Sequence, residues 1–558
     1  MPQYPIAGVV PWLAVAAIAL TSRLLGDEPV APNDDPAHAL PSLAWEERSD
    51  WINVKTDVSP KAIGDGLADD TAAIQAAFAL IANGVTVYLP SGTYRIRQTL
   101  MLGGTIQRAG DQRLIGCLVV GHGRETRLVW DGPPGGAMIR EDGLAYSRWV
   151  GLVFDGKGQA AVGLLHDNGD HAFETEVRHQ HLGFLGFTDA GILVPPTRKQ
   201  ALAETSFENC LFVTCRRGVS FTQFNDYDYT FDGCEFRDSE IAIECAHGNF
   251  YVRNCRFERS TVADILANPE HASSVRRCVS VGSKALIRFS NPVAPLTLQD
   301  CLVSGWTDTG GAAQLSGAPA LVFDCQFVDG PQGSAPLSLG GRQILIASQN
   351  TVAGGGVLVA GDQARIRTIP AGQRRGVGLT TDIRYLKREV PIPGKVFDAQ
   401  RDFGAKGDGN TDDTTAIQRA IDAAREAGQG GIAYLPTGSY VVTAPLRVNG
   451  KDFSVGGSGF RTSLVWRGPE GGTIIEVGDV QNVTIEHIAV GNHDSGQMNN
   501  AIDIHQRGGT QASRLTYDGV FVYGMYQKQP LRKGLWLDGL GAEAVVMMPH
   551  VQGNIHIA

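Results

Sequence analysis

The chain of 558 residues is poor in charged side chains, which make up 19% of it, and it has few long stretches of helical periodicity. This favours a turn-rich β structure, for which 69 glycines supply tight corners. Basic residues are not in excess. A formal net charge of -10 argues against a general nucleic-acid binder, and a neutral glycan fits this balance more easily than a polyanion.

Cysteine is also scarce. All nine cysteines lie between Cys117 and Cys325, and the absence of CxxC pairs argues against a metal site. Six of them recur at intervals of 24, 21, 23, 23 and 24 residues: Cys210, Cys234, Cys255, Cys278, Cys301 and Cys325. This period is typical of the rungs of a solenoid, so we predict a stack of small apolar side chains inside one.

Long apolar runs are absent too. The longest at the N-terminus, residues 6–20, has 15 residues, which is short for a membrane span and suits a signal-peptide core. No basic residue precedes it and no clean cleavage site follows, so a disordered or mis-started N-terminus stays an alternative. We interpret residues 1–45 as a signal peptide and lead-in, and we expect a secreted or periplasmic protein with no membrane span in its mature chain.

One stretch of the chain occurs twice. GDGNTDDTTAIQRAIDAAREAGQGGIAYL at residues 407–435 has a shorter copy, GDGLADDTAAIQAAFALIANGVTVYL, at residues 64–89. In the longer copy Ile417, Ala420, Ile421 and Ala424 recur at helical spacing behind the capping groups Asp412, Asp413 and Thr414, and a short apolar strand follows. A helix that must bury one face just before a ladder of strands predicts a plug for the ladder's open end.

These residues carry a family resemblance. GAKGDGNTDDTTAIQ…YLPTGSYVV from Gly404 and IGDGLADDTAAIQ…YLPSGTYRI from Ile63 resemble the pectate lyase superfamily module, also called rhamnogalacturonase/epimerase-like. The resemblance implies a right-handed parallel β-helix. Two such modules in one chain are similar in arrangement to the family 55 exo-β-1,3-glucanases. The module indicates the fold more strongly than the reaction, because lyases, hydrolases, epimerases and tailspikes share it.

The predicted fold is therefore all-β, with two tandem right-handed parallel β-helices, each with an N-terminal capping α-helix. We place the first helix at residues 46–375, a linker at 376–394 and the second helix at 395–558. Residues 121–139 match residues 457–475 at a constant offset of 336, so the duplication extends beyond the caps. The second helix is shorter than the first, or the chain is a fragment.

The best catalytic candidates are carboxylates that only the second copy has. In TIIEV and AIDIH, strand alternation turns Glu476 and Asp503 outward, and the two strands are 27 residues apart, a plausible rung. Glycosidic cleavage needs an acid and a second carboxylate. Adjacent rungs suit a retaining enzyme, whereas family 55 enzymes are inverting, so carboxylates further away are also candidates: Glu486, Asp494 and Asp538.

Polar and aromatic residues at one corner of the first copy are candidates for substrate binding. In NDYDYTFDG, Tyr227 and Tyr229 could stack on sugar rings while Asp226 and Asp228 accept hydroxyl hydrogen bonds. His505 shares the outer face with Asp503 and is a further candidate. Such clusters are equally typical of Asn/Asp turns with packed tyrosines.

We interpret the protein as a secreted glycoside hydrolase, β-1,3-glucanase-like, that needs no cofactor, with its site near the contact between the modules. A polysaccharide lyase of the pectate lyase type is the main alternative; it would hold Ca²⁺ with Asp226, Asp228 and Asp232 and use Arg253 or Arg256 as base. A non-catalytic glycan-binding β-helix is the third possibility. The sequence predicts a polysaccharide partner and leaves the oligomeric state open.

Overall fold

The computed structural model describes most of the chain between residues 35 and 557. The described ranges are 35–103, 114–166, 174–196, 202–341, 343–360, 365–369, 395–491, 500–505, 515–523, 533–539, 545–547, 550–551 and 555–557. Residues 1–34 and 376–394, which hold most of the predicted leader and the predicted linker, lie outside them. Among the described residues, no helix combines the length and the apolar character needed to cross a membrane.

The protein is an all-β parallel solenoid with few helices. The strands between residues 51 and 368 form four parallel sheets, and the strands between residues 396 and 557 form two more. We call these two groups of sheets the first stack and the second stack. Each strand of a sheet pairs with the corresponding strand of the next rung, which is the arrangement that the cysteine period predicted.

The first stack has three long sheets and one short one. Sheet 1 has 13 strands: Trp51–Asn53, Thr86–Tyr88, Leu118–Val120, Arg148–Val150, Arg178–Gln180, Ser206–Glu208, Tyr229–Asp232, Phe250–Arg253, Ser273–Arg276, Leu296–Gln299, Ala320–Phe323, Leu345–Ser348 and Ile366–Thr368. Sheet 2 has 12: Asp65–Asp69, Gly92–Ile96, Thr126–Trp130, Val153–Asp155, Gly183–Leu185, Leu211–Val213, Glu235–Arg237, Arg256–Glu258, Val279–Val281, Leu302–Ser304, Gln326–Val328 and Thr351–Val352.

Sheet 3 has 11 strands: Leu100–Gly103, Ala137–Asp142, Val162–His166, Ala190–Val194, Arg217–Phe221, Ile241–Cys245, Ala263–Ala267, Ile287–Asn291, Ala313–Gly317, Leu337–Gly340 and Val359–Ala360. Sheet 4 has four short strands: Leu114–Ile115, Leu144–Ala145, Glu174–Thr175 and Leu202–Ala203.

The second stack has two sheets. Sheet 5 has nine strands: Val396–Asp398, Gly431–Leu435, Leu446–Gly457, Thr473–Glu486, Asn500–His505, Leu515–Asp518, Lys533–Asp538, Val545–Met547 and Ile555–Ile557. Sheet 6 has six: Asp408–Asp412, Gly438–Val442, Thr462–Trp466, Ala489–Gly491, Phe521–Tyr523 and His550–Val551.

Two α-helices are described, and both lie in the duplicated segments. Helix α1 spans Thr71–Ala79 and helix α2 spans Thr414–Ala427. Two 3₁₀ helices add Pro36–Ala39 and Ala353–Gly355. The predicted apolar face of α2 is confirmed, because its buried residues are Ile417, Ala420, Ile421 and Ala424.

The capping groups differ in detail from the prediction. Asp413 stands at the N-cap of α2, but its carboxylate accepts from the backbone N–H groups of Lys406 and Gly407 instead of from the helix. Asp70 does the same for Ile63 and Gly64 before α1. The duplicated aspartate therefore fixes the preceding glycine loop, which explains why DD follows GDG in both copies.

The six periodic cysteines form the predicted column inside the first stack. All are buried free thiols, and each donates to a backbone carbonyl oxygen, as Cys210 does to His179 and Cys255 to Arg253. Each follows a corner residue with positive φ, such as Asn209 or Asn254. The corner turns the next side chain inward, where only a small apolar group fits.

Candidate active site

The outer side of sheet 5 brings together the predicted carboxylates of the second stack. Glu476 and Asp503 are direct register partners on adjacent strands, and Arg447 precedes Glu476 in the same row. His505 and Asp538 form the next aligned pair. We call this surface the carboxylate face: Arg447, Glu476, Asp503, His505, Trp536 and Asp538.

Strand alternation explains why these side chains face outward. Ile475 and Val477 are buried on either side of Glu476, and Ile502 and Ile504 on either side of Asp503. The alternation predicted from the sequence is confirmed. Since paired strands lie roughly 4.8 Å apart, the backbone places the two carboxyl groups within reach of one glycosidic bond.

One imidazole connects two of the carboxylates. His505 Nδ1 lies 3.2 Å from Asp538 Oδ2, and its Nε2 lies 3.7 Å from Asp503 Oδ2. On the other side, Arg447 Nε lies 3.7 Å from Glu476 Oε2. The side chains of Glu476 and Asp503 are 44% and 14% exposed, so one carboxylate projects into solvent while the other is largely enclosed.

The enclosed carboxylate is incompletely paired. Asp503 Oδ1 is buried and has no hydrogen-bond partner among the described atoms. A buried polar atom without a partner costs free energy, and such costs recur at sites where a ligand completes the bonding. Asp503 is therefore the member of the face best placed to bond a substrate hydroxyl or glycosidic oxygen.

Trp536 is a member of this face that we did not predict. Leu535 and Leu537 are buried, so Trp536 between them lies on the outer side, in register with Asp503. Its ring centroid is 5.3 Å from that of His505. The alternation in GLWLD could have identified it. A partly exposed indole beside carboxylates can pack against the apolar face of a sugar ring.

Glu486 does not belong to the carboxylate face. It ends the strand Thr473–Glu486, which turns at Asp479 and Asn482, both with positive φ, so that its last residues lie on another side of the stack. The prediction that grouped Glu486 with Glu476 is wrong for this reason. Asp494, the remaining candidate, lies outside the described residues.

Glu486 instead lines a small cleft of about 90 Å³ between the two stacks. Arg48, Glu208 and Tyr434 line it as well, whereas Glu476 and Asp503 are not among its described lining residues. Among the catalytic candidates that the structure describes, the expectation of a site at the contact between modules therefore fits Glu486 alone. Burial lowers the pKa of Arg48 here and raises that of Asp50, which accepts from the Thr437 backbone N–H and the Tyr434 hydroxyl.

Of the four residues predicted to bind a glycan at one corner of the first stack, two are buried and two line a groove. Asp226 and Tyr229 are fully buried, so their predicted contacts with a surface glycan are ruled out; burial raises the pKa of both. Tyr227 and Asp228 do line an open groove, together with Tyr251 and His271. The side-chain direction changes within this corner because Asp228 has a positive φ.

The calcium set sketched for the lyase alternative is not brought together at one surface. Asp226 is inside the stack, while Asp232 is bonded by Arg253 Nε at 2.9 Å and by the Asn254 amide. Asp228 lies in the groove with Asn249. These three carboxylates do not form a shared oxygen cage for one ion.

Two segments of the chain match a known family. Residues 51–122 and 397–459 match the model described as rhamnogalacturonase A/epimerase, pectate lyase-like. They contain α1 and α2 and the first strands of each stack. The molecule is thus a parallel β-solenoid in which two separate segments resemble the pectate lyase-like family.

Curated relatives are similar to this chain over short stretches. Alginate lyase 7 of Azotobacter vinelandii is 70% identical over 43 residues, which are 8% of this chain and 5% of the relative. A probable glucan endo-1,3-beta-glucosidase of Arthroderma benhamiae is 45% identical over 60 residues, 9% of this chain and 7% of the relative. The chain therefore matches less than a tenth of the length of these curated relatives.

Among solved structures, ORF18 of Geobacillus virus E2 is similar with a TM-score of 0.44 and 15% identity, over 63% of this chain and 67% of that one.

Proposed function

We propose that the protein is a polysaccharide-active enzyme, a glycoside hydrolase of the β-1,3-glucanase type, with the carboxylate face as its active site. The observation that carries the proposal is the direct register of Glu476 with Asp503 on the outer side of sheet 5, next to Trp536. The similarity to a glucan endo-1,3-beta-glucosidase supports the substrate class.

The chemistry follows from the pair. One carboxyl group protonates the glycosidic oxygen as the bond to the leaving sugar breaks. The other stabilises the oxocarbenium-like transition state and attacks the anomeric carbon, after which water releases the sugar. Trp536 would hold the sugar ring, and His505 would fix Asp503 and Asp538 in place through its two nitrogens.

The decisive assay uses four polysaccharides: laminarin, polygalacturonate, rhamnogalacturonan and alginate. We expect new reducing ends from laminarin without absorbance near 235 nm, because hydrolysis creates no double bond. Absorbance near 235 nm would show elimination instead. Binding without either product would indicate a glycan-binding protein, and the groove lined by Tyr227 and Tyr251 would be its candidate binding surface.

A polysaccharide lyase is the second candidate, favoured by the similarity to alginate lyase 7. Elimination needs a base for the proton next to the uronate carboxyl and a cation to neutralise that carboxyl. On the carboxylate face, His505 could serve as the base and Arg447 as the cation. The hydrolase is preferred because this face carries three carboxylates and one guanidinium, which suits a neutral sugar chain better than a uronate.

The proposed function also concerns the arrangement of the two stacks and the export of the chain. We propose that the two stacks are tandem right-handed β-helices, that α1 and α2 close their first rungs, and that the chain is exported to reach its substrate. The packing of α2 on the strand Leu446–Gly457 through buried Ile421 supports the capping role.

A further inference from the structure

Charged side chains occupy the inside of the first stack at one level. Strand partners in sheet 3 place Leu102, Glu141 and His166 in one inward column. In sheet 1, Trp149, His179 and Phe207 form another. Glu141, His166 and His179 are buried in a core that is mainly apolar. Burying a carboxylate and two imidazoles there is costly unless something compensates them.

These three residues converge on one another. Each contributes one nitrogen or oxygen atom to a group whose members all lie within 4.8 Å of each other. Oε1 of Glu141, Nε2 of His166 and Nε2 of His179 are buried without a hydrogen-bond partner among the described atoms, while Oε2 of Glu141 lies 3.1 Å from His166 Nδ1. Three unpaired polar atoms in one buried cluster indicate that the site is completed by a further group.

The remaining nitrogens are already used, which fixes the rings. His166 Nδ1 lies 2.7 Å from Glu174 Oε2, while Glu174 Oε1 accepts from the backbone N–H groups of Gly143 and Leu144. His179 Nδ1 lies 3.3 Å from the carbonyl oxygen of Ser206, and its ring stacks on Phe207 at 4.7 Å. Because His179 Nδ1 is bonded to this carbonyl oxygen, its Nε2 carries the lone pair, the usual arrangement of a metal ligand. His166 faces Glu141 through Nδ1, which also contacts Glu174.

We propose that Glu141, His166 and His179 form a buried site for a divalent transition metal of the zinc type, with Glu174 as a positioning residue for His166. Two imidazoles and one carboxylate are a donor set that zinc accepts, whereas Ca²⁺ and Mg²⁺ prefer oxygen donors only. The ion would join sheet 1 to sheet 3 across the core, and its role would be structural because the three side chains are closed off from solvent.

A shared proton is the simpler way to compensate these groups. A proton on His166 would balance one carboxylate, and Glu141 Oε2 does lie 3.1 Å from His166 Nδ1. It would still leave His179 Nε2 without a partner. A metal ion satisfies the atoms of all three residues at once, which is why the donor geometry favours it.

The test measures metal binding by the whole chain, independently of any activity on polysaccharides. After removal of bound metal with a chelator, wild type is titrated with Zn²⁺ against a chromophoric indicator, and with Co²⁺ while visible absorption is recorded. We expect one ion per chain and a higher Tm with Zn²⁺. Glu141→Gln and His179→Phe should each weaken binding at least about 100-fold, and Glu174→Gln about 10- to 100-fold.

The variants are chosen to keep the fold. Phenylalanine at position 179 would continue the ring stack on Phe207, and glutamine matches the shape of Glu141. His271→Gln, in the surface groove of the same stack, is the control and should bind like wild type. The proposal is overturned if wild type binds no stoichiometric Zn²⁺ or Co²⁺, or if Glu141→Gln, with a wild-type circular dichroism spectrum, binds as tightly as wild type.

Discussion

Arg178 of the first stack and Asp518 of the second form a buried ion pair, with Nη1 and Oδ1 3.2 Å apart. The two residues are 6% and 0% exposed, and a second nitrogen of Arg178 bonds Glu208 at 2.7 Å. The pair ties sheet 1 to sheet 5. Neither residue was a candidate in the sequence, because a contact between residues 340 positions apart leaves no local pattern.

Breaking this pair should destabilise the protein. Removing one charge of a buried pair leaves the other uncompensated, which typically costs about 3–5 kcal/mol. We expect Asp518→Asn to lower the free energy of unfolding by about 3 kcal/mol, at the lower end because Glu208 still pairs with Arg178. Urea unfolding followed by circular dichroism measures the change.

The matched control is Asp238→Asn, which breaks the exposed pair with Arg259. Exposed pairs contribute at most about 1 kcal/mol, so this variant should stay within that range of wild type. Equal losses in both variants would show that the buried pair has no special role between the stacks.

Asp264 should make stability depend on pH. Its buried carboxyl accepts from the Ser280 hydroxyl at 2.5 Å, and burial raises its pKa to about 7 despite the serine hydroxyls that lower it. The protonated form is therefore favoured by folding. Its contribution to the free energy of unfolding is complete below about pH 4 and is lost as the pH rises to 7. The loss amounts to about 4 kcal/mol, because the pKa of Asp264 differs by about three units between the folded and the unfolded chain.

The Asp264→Asn variant removes this titration. We expect its free energy of unfolding to fall less than that of wild type between pH 4 and pH 7, because the amide is neutral throughout. Urea midpoints at several pH values give the comparison. Parallel pH profiles for the two proteins would exclude Asp264 as the source.

Trp536→Ala should weaken substrate binding more than chemistry. The indole touches no reacting bond in the proposed mechanism, so its loss should raise KM about tenfold and leave kcat within a factor of about three. Trp536→Phe should recover most of the affinity because a ring remains. A fall in kcat with unchanged KM would contradict a role in holding the sugar.

The spacing of the carboxylates predicts the stereochemistry of the product. Glu476 and Asp503 are on adjacent strands, so their separation suits a retaining enzyme, for which about 5 Å is typical. Proton NMR of the first products should show the anomer of the substrate. Inversion would contradict this pair and transfer the second role to Asp538, which is one strand further away.

The sequence predicted those parts of the fold that follow from periodicity. The rung length follows from a spacing of about 23 residues, and the buried face of α2 follows from a spacing of about 3.6 residues. The outward direction of Glu476 and Asp503 follows from the two-residue alternation of a strand. Each repeats along the chain, so the pattern is visible without knowing which segments touch.

Features set by single turns could not be predicted. Asp226, Tyr227, Asp228 and Tyr229 look equivalent in the sequence, but one positive φ at Asp228 separates buried from exposed side chains. The bend after Glu476 that carries Glu486 into the cleft is equally local. Glu141 and His166 break the strand alternation of inward apolar and outward polar residues, because both are polar and face inward. Such exceptions are expected only where a site needs them.

The most direct test of the proposed active site compares initial rates of reducing-end release from the polysaccharide that wild type cleaves fastest. Glu476→Gln and Asp503→Asn keep the shape of each side chain and remove its acid-base function, so each should lose at least about 100-fold in rate. Glu426→Gln, an exposed carboxylate on α2, should match wild type. Full activity in either of the first two variants, with an intact circular dichroism spectrum, would contradict the account.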